Sequence, residues 1–97
     1  MATPESDSAA IRQIIRGLRA AGWELDSVWD GEESEPVTTE TAAIEAITGL
    51  DQAHLYVKKQ GVDGWVFFVL GNEPFEVAND YTTNLSDAID PITEPWF

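Results

Sequence analysis

With 97 residues, 18 acidic and five basic side chains, one histidine and no cysteine, the chain carries a formal charge of −13. That length supports one domain, 1–97, with a modest core, and the lack of thiols excludes disulfides, thiolate metal sites and a cysteine nucleophile. The charge disfavours nucleic acid and anionic membranes as direct partners and favours basic proteins, while 43 % apolar residues and four Trp argue for a folded chain.

Thr3-Pro4-Glu5 reads as a helix start, since Thr caps, Pro suits the first helical position and Glu complements the dipole. Ile11, Ile14, Ile15 and Leu18 then define an apolar stripe at helical spacing, and Gly22 is the expected stop. Arg12, Arg16 and Arg19 fall on the other side of that helix. The stretch from Trp23 to Trp29 alternates as a strand, with Trp23, Leu25 and Trp29 on one face and Glu24 and Asp26 on the other. Asp30 to Pro36 is an acidic, turn-rich loop.

Val37-Thr38-Thr39 opens a second, short helix that turns Ile44, Ile47 and several Ala inward and ends at Gly49. Residues 53–60 and 64–71 read as a hairpin joined by Gly61-Val62-Asp63. Leu55 and Val57 alternate with His54, Tyr56 and Lys58, as in a half-exposed strand. Residues 65–70 are apolar at every position, which predicts a central strand covered on both faces. A short edge strand is expected within 75–81, and Asn84 or Ser86 would cap a final helical turn through Ile89 that Pro91 closes.

The fold class that follows is α+β: a small single domain whose mainly antiparallel, three- to four-stranded sheet carries two main helices on one face and a short C-terminal helical turn. The opening residues lack the basic and apolar regions of a secretion signal, and no apolar run reaches membrane-spanning length, so a cytoplasmic protein is expected.

Chemistry-bearing motifs are sparse. His54 has no Ser–His–Asp spacing around it, and there is neither a GxGxxG nor a phosphate-binding GxxxxGK[ST] loop. An EF-hand register beginning at Asp26 would put Val28 and Val37 at ligand positions that need oxygen donors. No catalytic residue, cofactor or metal site is assigned, and the chain is read as non-enzymatic. Trp23, Trp29 and Trp65 are assigned to the core. Trp96 and Phe97 are expected to dock on the chain itself, with a homodimer contact through them as the other reading.

The acids are segregated. Residues 23–57 hold nine acids and no base, and residues 60–97 hold seven acids and no base. Glu24, Asp26, Asp30, Glu32, Glu33 and Glu35 form the densest candidate partner-binding patch, and Glu73, Glu76 and Asp80 a second, expected on the same sheet edge. Carboxylates so placed engage Arg and Lys much as phosphates do. In composition alone the chain resembles the small, acidic, cysteine-free antagonists that phages carry against host nucleases and defence complexes. The function read from these features is an acidic inhibitor or nucleic-acid mimic that blocks a basic, nucleic-acid-binding surface of a partner protein. The alternatives are an antitoxin or immunity-type partner of a basic toxin, and an acidic domain whose charge reflects a high-salt host.

Overall fold

The computed structural model describes residues 4–96, so Thr3 and Phe97 lie outside the described residues. Ser6 caps the first helix: its backbone is extended, and its hydroxyl accepts the Ala9 N–H at 3.1 Å. Helix α1 (Asp7–Ala20) buries Ala10, Ile11, Ile14, Ile15 and Leu18 completely, as the stripe predicts. It closes at Gly22, which takes φ +95°. The Trp23 N–H returns to the Leu18 carbonyl and the Gly22 N–H to the Arg19 carbonyl, both at 3.0 Å. That Schellman closure requires the left-handed conformation glycine adopts without strain.

Strand β1 (Glu24–Trp29) follows and carries a bulge. Its register against the later strand shifts between Leu25 and Ser27, so Leu25 and Val28 both reach the core. The extra residue reverses the alternation, and Trp29 emerges on the face opposite Leu25. Trp29 is therefore not a core residue as its spacing from Trp23 predicts. Strand β2 (Ser34–Pro36) lies within what the sequence reads as a loop. Its three exposed residues pair antiparallel with β1 across a turn that Asp30 organises. Asp30 Oδ1 accepts the N–H groups of Glu32 and Glu33, both at 2.8 Å.

Helix α2 (Glu40–Thr48), capped by Thr39, carries the chain across β1 to its other side. There β3 (Gln52–Lys59) and β4 (Val62–Val69) form a hairpin with a two-residue turn. Gln60 and Gly61 occupy it with φ of 52° and 81°, the pattern of a type I′ turn. Val62 and Asp63 thus belong to β4 rather than to the turn. A 3-10 turn, Pro74–Glu76, leads into the edge strand β5 (Ala78–Tyr81).

Helix α3 (Ser86–Thr93) runs through Pro91, which does not close it, and continues as a 3-10 turn, Glu94–Trp96. Burial outweighs the local break: Ile89 is fully enclosed, Trp96 is 5 % exposed, and Ile92 lies so close to α1 that a Cβ on Gly17 would overlap its Cδ1. Trp96 thus docks on the chain itself.

The sheet has five antiparallel strands, not three to four, in the order β2-β1-β3-β4-β5. One apolar cluster unites the helices with the inner residues of the sheet, including Leu25, Val28, Leu55, Val57, Val66 and Phe68. No buried side chain among the described residues is polar or charged. Helices cover one face of the sheet only. At its margins, the Tyr81 hydroxyl donates to Asp90 and joins β5 to α3; burial, then this bond, pushes the phenol up to about 12.

Helices α1 and α2 are joined by charge. Arg12 Nε donates to Glu40 at 3.1 Å and Arg16 Nε does so at 3.1 and 3.2 Å. The Arg16 bond above all holds the Glu40 carboxyl below its ordinary 4.5. Because the folded value is lowered, the contribution is complete above 4.5 and is lost as the pH falls through the folded value. Glu40→Gln is expected to cost about 0.5–1 kcal/mol at neutral pH, discounted for solvent screening. Urea unfolding repeated at falling pH should show a shallower acid loss in the variant than in the parent; identical acid limbs would contradict the assignment.

Candidate functional site

The face of the sheet opposite the helices is aromatic. Cross-strand partners project to the same side, so the pairs Trp29↔His54, His54↔Phe67 and Tyr56↔Trp65 bring five rings from three adjacent strands onto one surface. All five are half-buried, and none belongs to the apolar cluster beneath the helices. The strand pitch makes the platform roughly 10 Å wide across β1, β3 and β4, and one β-repeat, about 7 Å, separates successive rings along a strand.

His54 sits at its centre. Its imidazole stacks on Phe67 with centroids 4.6 Å apart and lies at 6.2 Å from Tyr56, nearly parallel. Trp29 and Trp65 each approach it at 5.3 Å, tilted and edge-on respectively. Such pairs contribute about 0.5–1.5 kcal/mol each beyond area burial. The rings shield one another where no helix does. Trp65 therefore lies outside the core, and β4 is covered on one face, not both: Val66 and Phe68 are fully buried while Trp65 and Phe67 are not.

Carboxylates surround the platform. Asp63 faces Lys58 and Glu24 faces the same Lys58 by register, while Asp80 faces Phe67. Asp26 lies 3.7 Å from Lys58 Nζ. Asp30 lines a notch of about 180 Å³ together with Trp29, His54 and Phe67. The backbone N–H groups of Glu33 and Glu32 hold the Asp30 carboxyl below its ordinary 3.8, so it is ionised at neutral pH. Lys58 is the one cation that register places on this face among the described residues.

The remaining bases look elsewhere. Arg12 and Arg16 bond Glu40 on the helical side. Lys59 Nζ donates to the Ala21 carbonyl at 2.7 Å and stands 6.0 Å over the Trp23 ring, capping the C-terminal end of α1.

Of the acids singled out in the sequence, Glu24, Asp26, Asp30 and Asp80 border the open face. Glu32 and Glu33 project from the β1–β2 turn. Glu35 pairs with Val28 and lines a cleft with Ala46 and Leu50, on the helical side. Glu73 stands at the N-cap and Glu76 at the end of the 3-10 turn that leads into β5. The two acidic patches occupy opposite edges of the sheet, since β2 and β5 are its outermost strands. Asp63 and the five rings escaped the sequence reading; the signal that would find them is the cross-strand register of the β3–β4 hairpin, which puts His54, Tyr56, Trp65 and Phe67 on one side.

A surface cleft of about 460 Å³ lies beside the end of α1 and mixes Arg19 and Lys58 with Glu24 and Trp23. No group of three or more His, Asp or Glu among the described residues could hold a metal ion. No described helix is long and apolar enough to cross a membrane. No family model matches the chain, and neither a curated protein nor a solved structure does.

Because the platform rings are half-exposed, they should matter less to folding than the face beneath. Trp65→Ala is expected to cost about 1–2 kcal/mol in urea unfolding, against about 3–5 kcal/mol for Phe68→Ala. Equal costs would place Trp65 in the core after all.

Proposed function

We propose that the chain is a non-enzymatic acidic binding protein that covers a basic surface of a partner protein, one that otherwise holds nucleic acid. The observation that carries this reading is the uncovered aromatic face with five carboxylates and one lysine at its margin. Aromatic rings give an interface its anchors, and the surrounding charge selects and steers an oppositely charged partner. An aromatic sheet face also suits single-stranded nucleic acid, whose bases stack on such rings. Here the margin carries carboxylates where a phosphate backbone needs Arg and Lys, so the charge disfavours that ligand. An antitoxin or immunity partner is the same surface turned on one cognate basic protein.

The acidic-host reading draws on a different observation. Glu5, Glu45, Asp51, Asp87 and Glu94 are exposed away from the aromatic face. If charge alone is the property under selection, molar salt stabilises the fold by relieving self-repulsion and no partner is retained.

Affinity capture from the source organism, at low and at high salt, separates these readings when run beside the double variant Trp65→Ser/Phe67→Ser. The expected result is a basic protein held by the parent at low salt, released at high salt and retained at least about tenfold less by the variant. Equal retention by parent and variant would remove the aromatic face from the function.

A further inference from the structure

The notch at one end of the aromatic face has a geometry that narrows the partner's chemistry. Trp29, His54 and Phe67 line it with ring surfaces, and Asp30 and Gly31 bound it at the turn. At about 180 Å³ it is smaller than the ~300–1,000 Å³ of small-molecule pockets and suits a single long side chain. The Asp30 carboxylate is fixed in place, because its Oδ1 already accepts two backbone N–H groups at 2.8 Å; Oδ2 lies outside those bonds.

We propose that this notch takes an arginine side chain of the partner, with the guanidinium plane against the Trp29 ring, its edges toward His54 and Phe67, and an N–H donated to Asp30. The inference rests on the reading of the open face as the binding surface for a basic protein.

Arginine fits better than lysine for three physical reasons. Its planar guanidinium stacks on aromatic faces, whereas an ammonium meets them as a point charge. It is less strongly hydrated, so leaving water for a half-buried notch costs less. It also has donors to spare, so one edge can bond Asp30 while the plane lies on the Trp29 ring. Asp80, beside Phe67, and Asp63, at the other end of the face, add attraction for further basic residues of the same segment. A nucleobase would also stack there, but its phosphates would meet these same carboxylates.

The test titrates the full chain, by tryptophan fluorescence and calorimetry, with a capped peptide alternating Gly and Arg, its Gly–Lys counterpart, and a single-stranded oligouridine. The arginine peptide is expected to bind about tenfold tighter than the lysine peptide at physiological ionic strength. Trp29→Leu, which keeps the apolar contact without the ring face, should erase that preference. Asp30→Asn keeps an oxygen for the turn amides and should weaken both peptides, with circular dichroism confirming the fold. Equal affinity for the two peptides, or a preference that survives Trp29→Leu, overturns the arginine notch and leaves the basic-partner reading standing. Binding of neither peptide, or of the oligouridine in preference to both, overturns both.

Discussion

One-sided coverage of the sheet is the constraint on which the other features depend. Helices α1, α2 and α3 pack through Ile11, Ile14, Ile47 and Ile89 onto the inner side of β1, β3 and β4, and every fully buried strand residue lies there. Nothing in the described chain covers the opposite side. An antiparallel sheet tolerates that when its outer face is polar. This one instead carries Trp29, Tyr56, Trp65 and Phe67 around His54, and their mutual stacking stands in for a second layer. The bulge at Asp26 completes the arrangement, because without that extra residue Trp29 would fall on the helical side.

Charge is distributed to match. The cations are largely engaged in holding the scaffold together: Arg12 and Arg16 tie α2 to α1, and Lys59 caps the end of α1. Among the described residues, the aromatic face keeps only Lys58, set among Glu24, Asp26 and Asp63. On the proposed reading, stacked rings at the centre and carboxylates at the margin would give a cationic protein dispersion and cation–π contact together with long-range attraction. Acidity alone would keep the chain soluble. On that reading, the rings are what would make the surface specific.

Local signals made much of the fold legible. The stripe of α1, its Gly22 closure, the short helix α2 that follows Val37-Thr38-Thr39 and the alternation of β3 all stand in the structure as the sequence predicts. Strand β2 did not show because Ser34-Glu35-Pro36 has no apolar alternation; its pairing comes from the turn that Asp30 ties. The run Trp65-Val66-Phe67-Phe68 reads equally well as a strand covered twice and as one with an aromatic outer face, and only the number and placement of helices decides. Spacing alone misplaces Trp29, because a bulge changes the phase without a local signature. The acids can be counted in the sequence but not sorted, since Glu24 and Glu35 belong to one patch yet register sets Glu24 opposite the outward Lys58 and Glu35 opposite the buried Val28. The rings around His54 come together through pairing between strands up to 38 residues apart, Trp29 with Phe67 across β3, which residue patterns do not encode.

The four tryptophans provide an internal control for the most direct measurement. Trp23 and Trp96 are 8 % and 5 % exposed and lie away from the open face, which carries Trp29 and Trp65. In a ¹H–¹⁵N spectrum of the labelled full chain, each indole N–H gives its own resonance. Titration with the alternating arginine peptide should shift the Trp29 and Trp65 indoles together with the amides of β1, β3 and β4, and leave those of Trp23 and Trp96 in place. Shifts confined to the helices or to the two acidic edges, with the Trp29 and Trp65 indoles unmoved, would contradict the open aromatic face as the binding surface.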